Sequence, residues 1–330
     1  MALEGQRVLV TGASGFLGGA LARALAAQGA QVRGLVREPS RGGYIAGQPN
    51  IELAQGDLAD AESLRRAVEG CTVVFHVAAA LGGSPDKQHA INVEGTRRLA
   101  QIAAEAGVRR LVNVSSVAVY GFRDMPERVT EETPPSPTLY AYSTTKLGAE
   151  TALREVAAQT GLDYAIIRPG MIYGPRSNPW TVQMFKLSRG WAVPFIGDGH
   201  GYAIPIHVDD VCSLTMLLGH HPAASGQVFN CAPDPGVSWR EFLGAYAALK
   251  GRSRWLGIPP WIVGALAPVI ALLAPRGTLF KDFPAVLRGN LRQVTFSTEK
   301  ARRLLGWQPK MSLAQGIQSC VPYLKEIGLL

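Results

Sequence analysis

Val10-Thr11-Gly12-Ala13-Ser14-Gly15-Phe16-Leu17-Gly18 joins a short β-rich run, 7–10, to a helical stretch, 16–28. In that stretch Phe16, Leu17, Ala20, Leu21, Ala24 and Leu25 share one face. The three glycines have separate roles. Gly12 permits a tight turn, Gly15 lets the backbone approach a diphosphate, and Gly18 lets the helix pack closely on its strand. The helix N-terminus then offers free N–H groups and a partial positive charge. A glycine triplet alone is weak evidence; placed between a strand and an amphipathic helix it marks a dinucleotide cradle.

Outward from this loop, β-rich runs recur at 31–36, 72–77, 111–114 and 164–167, with helical stretches between several of them. Such alternation implies βαβ units, hence a parallel sheet covered on both faces. The fold class expected is α/β, a doubly wound parallel sheet of Rossmann type with a smaller, mostly C-terminal substrate lobe. Residues 1–175 plus about 204–231 are assigned to the sheet domain, and about 176–203 and 232–330 to the lobe.

The chain has 330 residues and a formal charge of +8, from 33 basic and 25 acidic side chains. Charges of both signs are interspersed with no long basic run, so the excess reads as solvated surface and no nucleic-acid partner is expected. Cys71, Cys212, Cys231 and Cys320 lack CxxC spacing, which argues against a disulfide framework or a zinc module. With nothing resembling a signal peptide before the first strand, a reducing, cytoplasmic setting is expected. The stretch 255–275 carries no charge and is broken by Pro259, Pro260 and Pro268. Apolar helices packed onto the substrate lobe are the favoured reading, and peripheral membrane contact the second.

The end of the second strand discriminates between cofactors. An acidic residue there accepts from the ribose hydroxyl of NAD, whereas arginine pairs with the 2′-phosphate of NADP. The run is Val36-Arg37-Glu38-Pro39-Ser40-Arg41, so Arg37, assisted by Arg41, favours NADP(H) over NAD(H).

Tyr142 and Lys146 are four residues apart and share a helix face. A phenol titrates near pH 10, and a neighbouring ammonium favours its anion, so the pair suits proton exchange with an alcohol or a forming alkoxide. Ser116 leaves a strand at Val112-Asn113-Val114-Ser115-Ser116, where its hydroxyl is placed to hydrogen-bond a carbonyl. No His, Glu or Asp cluster has metal-ligand spacing, so no metal is expected.

With these motifs stand Gly56-Asp57-Leu58, His76-Val77-Ala78-Ala79, Asn92-Val93-Glu94-Gly95-Thr96, Arg168-Pro169-Gly170 and His207-Val208-Asp209-Asp210. Together they resemble the extended short-chain dehydrogenases/reductases over essentially the whole chain. The resemblance implies Tyr142 as acid/base, Lys146 tuning it and binding nicotinamide ribose, and Ser116 polarising the carbonyl. It also implies a cofactor site of Gly12, Ser14, Gly15, Phe16, Leu17, Gly18, Arg37, Asp57 at the adenine, Leu58, Val77, Ala78, Ala79, Asn92, Val114, Tyr142, Lys146, Pro169, Gly170 and Ile172. Leu81, Val117 and Met171 are candidate substrate-lining residues. A homodimer through two long helices per subunit, 88–106 and 142–159, is implied as well.

Sugar dehydratases of the superfamily follow the first hydroxyl with Asp-Glu, but Val117-Ala118 follows Ser116 here. Nucleotide-sugar enzymes tend to carry an Asn after the sixth strand and an Arg before His-Val-Asp-Asp; this chain has Gly170-Met171 and Tyr202-Ala203-Ile204-Pro205. These apolar replacements favour NADP(H)-dependent reduction of a ketone or aldehyde in an apolar small molecule, or the reverse oxidation, on the hydroxysteroid-dehydrogenase and dihydroflavonol-reductase side of the family. A nucleotide-sugar 4-epimerase with tightly bound NAD and a non-catalytic NADPH sensor are the alternatives.

Overall fold

The computed structural model describes residues 3–123, 125–136, 138–251 and 254–330. Pro137, Arg252 and the side chain of Arg41 lie outside the described part. Seven strands form one sheet: β1 (Arg7–Thr11), β2 (Gln31–Val36), β3 (Ile51–Gln55), β4 (Val73–His76), β5 (Arg110–Val114), β6 (Tyr164–Pro169) and β7 (Gln227–Cys231). Their order is β7-β6-β5-β4-β1-β2-β3 and every pairing is parallel. The strand order reverses between β1 and β4, which opens a crevice at their carboxyl ends.

Alternation along β1 sorts its side chains to two cores. Val8 and Val10 pack with Leu21 and Leu25 of α1 (Phe16–Ala27), while Leu9 packs on the opposite face with Leu64 of α2 (Ala61–Val68). The helix expected over 88–106 is irregular: α3 (Pro85–His89), a π-turn at Ala90–Glu94, then α4 (Gly95–Glu105). Helix α5 (Ala141–Thr160) runs beside it. Strand β3 is absent from the β-rich runs read in the sequence, because Ile-Glu-Leu-Ala-Gln lies at the sheet edge with Glu52 and Gln55 exposed.

Beyond the sheet, α6 (Gln183–Ser188), α8 (Trp239–Ala248) and the C-terminal helices build a second core around Tyr173, Phe185, Phe242, Tyr246 and Leu324. Between them in sequence, α7 (Val208–Leu218) returns to the sheet and packs beside α1 on the same face. All four cysteines are buried and unpaired.

The stretch 255–275 contains a strand, Trp255–Ile258, paired with Val193–Ile196, and a helix, α9 (Pro260–Leu273). The favoured reading of apolar helices packed onto the lobe is corrected here. Helix α9 meets α10 (Phe283–Asn290), yet only its Ala267 is buried, and Leu272 and Leu273 are each 77% exposed. No helix among the described residues is long and apolar enough to cross a membrane.

Candidate active site

The loop after β1 is shaped by two glycines that no other residue replaces. Gly12 has φ +67°, and a Cβ on it would lie 2.9 Å from Cα of Ala78. A Cβ on Gly18 would lie 2.2 Å from the Gly12 carbonyl oxygen. Helix α1 has Gly15 at its N-cap, with no side-chain cap and no acidic residue in its first turn, and Ser14 and Gly15 are exposed. Its leading N–H groups are therefore left for an anion. The cradle fits a dinucleotide diphosphate. Phe16 and Leu17 turn inward against the core beneath it.

Thr11 locks this loop to the end of β4. Its Oγ1 accepts from the N–H groups of Val77 and Ala78, each at 3.1 Å, and lies 2.8 Å from His76 Nδ1. His76 Nε2 is 2.9 Å from Thr96 Oγ1, whose hydroxyl donates to the Asn92 carbonyl at 2.6 Å. Only a neutral imidazole satisfies the set: Thr11 donates to Nδ1, and Nε2–H donates to Thr96. Burial accordingly pushes the His76 pKa down to about 3, with the Lys146 charge adding to the fall.

This has a consequence for acid stability. The unfolded state binds a proton near pH 6.5 that the native state resists until about pH 3, so stability falls as pH drops through that window. By pH 5 the loss is about 2 kcal/mol. Urea midpoints at pH 7 and pH 5 check it: the wild type loses stability on acidification, and His76→Gln loses distinctly less. Equal losses would remove His76 as the source.

Asn92, expected in the cofactor lining, is held between the loop after β4 and α5. It is 2% exposed, accepts from Ala80 N–H at 2.7 Å and donates to the Ala80 carbonyl and Thr145 Oγ1, both at 3.0 Å. With its amide spent on these partners, it pins the loop after β4 to α5. Ala78 and Ala79 remain half-buried at the loop, with Leu81 exposed beyond them. Leu58 is buried beneath Gly95, Ile172 packs on the sheet core, and Met171 and Val117 lie in the lobe and loop cores. Asp57, at the end of β3, accepts from Ala59 N–H at 2.8 Å, and exposed Arg37 pairs with no carboxylate among the described residues. Pro169 ends β6, and Gly170 N–H donates to the Cys231 carbonyl at 2.9 Å.

Ser116, Tyr142 and Lys146 converge at the crevice. Ser116 caps a 3₁₀ turn, accepting from Ala118 N–H at 3.1 Å, and its hydroxyl hydrogen-bonds Tyr142. Lys146 Nζ donates to the Val114 carbonyl at 2.7 Å and stands 6.0 Å from the Tyr142 ring centre. Burial dominates the electrostatics: it pushes the phenol up to about 12, against the Ser116 bond, and Lys146 down to about 8, against the pull of Glu150. The lowering of Tyr142 expected from its spacing to Lys146 is thus reversed by burial of the phenol, while the ammonium donates to a backbone carbonyl.

Sequence reasoning assigned no role to Glu150, Arg168 or Asp282. Glu150 is completely buried one turn beyond Lys146 and accepts two bonds from Arg168, at 2.8 and 2.6 Å. The i,i+4 spacing of Lys146 and Glu150 was the available signal. Asp282 accepts from the Leu139 and Tyr140 N–H groups at 2.6 and 3.0 Å, fixing the entry to α5 from far along the chain. His207 and Asp210 are structural. His207 caps α7, and Asp210 accepts from the Lys310 and Met311 N–H groups at 2.8 and 3.1 Å.

Comparison with known proteins agrees with this geometry. The model of the NAD dependent epimerase/dehydratase family matches residues 8–232. The chain is 32% identical to a UDP-glucose 4-epimerase of Mycolicibacterium smegmatis, over 97% of this chain and 98% of the relative. It is 29% identical to the 4-hydroxy-2-methyl-3-oxo-4-farnesyl-3,4-dihydroquinoline-1-oxide ketoreductase of Stigmatella aurantiaca, over 95% of each. The solved structure of MoeE5 in complex with UDP-glucose and NAD superposes with a TM-score of 0.74 at 26% identity, covering 98% of this chain and 99% of that one. A cradle that fits a dinucleotide, a tyrosine–lysine–serine set at the carboxyl end of β5 and a family match through the whole sheet place this chain in the NAD-dependent epimerase/dehydratase family of extended short-chain dehydrogenases/reductases, enzymes acting on CH–OH and C=O groups.

Proposed function

We propose that the protein uses NADPH to reduce a ketone or aldehyde on a largely apolar small molecule, or runs the reverse oxidation. The observation that carries this reading is the apolar character of two positions after β6 and before α7. Met171 and Ile204 hydrogen-bond through their backbones and pack into the lobe core at or beside the positions where nucleotide-sugar enzymes tend to keep an Asn and an Arg. A sugar-nucleotide diphosphate would lose desolvated charge partners there. The farnesyl group in the name of the Stigmatella relative's substrate agrees with an apolar ligand.

The cradle from Gly12 to Gly18 would hold the cofactor's diphosphate, Arg37 its 2′-phosphate and Lys146 its nicotinamide ribose. When bound, the reduced nicotinamide supplies hydride. Ser116 donates to the substrate carbonyl, and Tyr142, kept protonated by burial, delivers the proton from Oη to the oxygen as it becomes an alkoxide. A panel of apolar ketones followed by NADPH absorbance tests the reading. Interconversion of UDP-sugars without net cofactor turnover would replace it with the epimerase reading, which the Mycolicibacterium relative and the MoeE5 structure support.

Cofactor choice is separately testable. Arg37→Asp removes the charge-assisted partner of the 2′-phosphate, so the NADPH-to-NADH ratio of kcat/KM is expected to fall by about tenfold or more. An unchanged ratio would take Arg37 out of this role. The assembly proposed is a homodimer through the outer faces of α4 and α5, which Arg97 and Glu155 clamp together at 2.7 Å.

A further inference from the structure

Helix α9 is apolar around its whole circumference, yet most of it faces solvent. Trp261, Leu266, Val269, Leu272, Leu273 and Phe280 form an exposed surface on it and just beyond it. A helix apolar on all sides is ordinarily enclosed by protein or by lipid. Both ends of this one are tied to the body. It follows directly on the Trp255–Ile258 strand, and beyond its far end the Gly277 carbonyl accepts from Ala141 N–H at 3.0 Å and Asp282 caps the turn before α5. With 14 residues it is about 21 Å long, short of the roughly 30 Å hydrocarbon core of a bilayer. It can lie along a membrane surface but cannot cross one.

Charge identifies the occupant. Between Phe242 and Thr298 the sequence holds seven basic residues, Lys250, Arg252, Arg254, Arg276, Lys281, Arg288 and Arg292, against one acidic residue, Asp282, which is 2% exposed. Lys250, Arg254, Arg276, Arg288 and Arg292 are exposed. A second copy meeting this face on itself would bring like charges together. An anionic lipid surface would accept the apolar side chains below its headgroups and pair the basic ones with them.

We propose that α9 docks the protein on the surface of an anionic lipid bilayer. The docked face adjoins the entry to α5, three residues before Tyr142, so the crevice would open beside the membrane. The full chain, mixed with vesicles of phosphatidylcholine alone or with about one third phosphatidylglycerol, tests this by co-sedimentation. The test reads binding without turnover, so it is independent of the reaction assigned.

Expected are binding to the mixed vesicles at least about tenfold tighter than to phosphatidylcholine, and weakening in high salt. Trp261→Glu/Leu272→Glu is expected to abolish binding with unchanged circular dichroism and elution volume, because both side chains are exposed in the fold. Arg254→Gln/Arg276→Gln is expected to lower binding to the mixed vesicles alone. The proposal is overturned by absence of vesicle binding, by binding that survives the Trp261/Leu272 substitutions, or by a shift of that variant to a smaller species, which would show that another copy or a protein partner covers α9.

Discussion

Tyr142→Phe is expected to cut turnover by about 10²–10⁴-fold while the nicotinamide cofactor still binds. The substitution removes one oxygen and leaves the ring, which packs against Tyr140 with centroids 5.6 Å apart. The cradle that would hold the diphosphate lies on a different element and is untouched. Loss of kcat with cofactor affinity retained is the signature of a proton donor. Loss of both would instead make Tyr142 a packing residue. The pH dependence follows from the same environment. With its pKa near 12, the phenol keeps its proton through the neutral range, so reduction does not lose its acid as pH rises from 6 to 9. Oxidation of the alcohol needs the deprotonated form and is expected to accelerate toward alkaline pH. A reduction rate that collapses between pH 7 and 9 would contradict this assignment, unless Lys146, near 8, carries the change; a Lys146→Arg variant with an unshifted profile excludes that route.

Much of this site was legible because its residues work through the local backbone. Gly12 and Gly18 are demanded by a positive φ and a 2.2 Å approach, and the pattern announces both within nine residues. Tyr142 and Lys146 declare themselves by helical spacing alone. What stayed hidden is nonlocal. The partners of Asn92, Ala80 and Thr145, come from two different elements, which no local motif announces. The sign of the Tyr142 shift depends on burial and on Nζ pointing at Val114, neither of which a four-residue spacing encodes. Strand β3 carries a weak local signal because an edge strand with one open side need not alternate strictly. Helix α9 is the opposite case: uniform apolarity suggests enclosure, and only the fold shows that nothing among the described residues encloses most of it.

The largest stability effect is expected from Glu150. Its carboxylate is fully buried and holds Arg168 by two bonds and Arg154 by a third, at 2.9 Å. Arg168 also donates to Tyr120 Oη at 2.9 Å, and that hydroxyl donates to Asn230 Oδ1 at 2.8 Å. The chain of contacts joins α5 to β6, to the turn after Ser116 and to β7, so one carboxylate ties these four elements together. Hydrogen bonds from Arg168 keep the Glu150 pKa below its usual value despite burial. Glu150→Ala leaves the guanidinium buried and uncompensated, at an expected cost of about 3–5 kcal/mol. Substituting Glu150→Ala and Arg168→Met together removes both charges and is expected to recover a substantial part of that loss, because the desolvation penalty disappears with the pair. Urea unfolding of the two single variants and the double variant measures the coupling. Additive losses would mean that the pair contributes through packing rather than charge. Glu150 also opposes the burial that lowers Lys146, so any folded Glu150→Gln protein should show a Lys146 pKa below about 8. An unchanged Lys146 titration in that variant would separate the structural ion pair from the lysine one turn away.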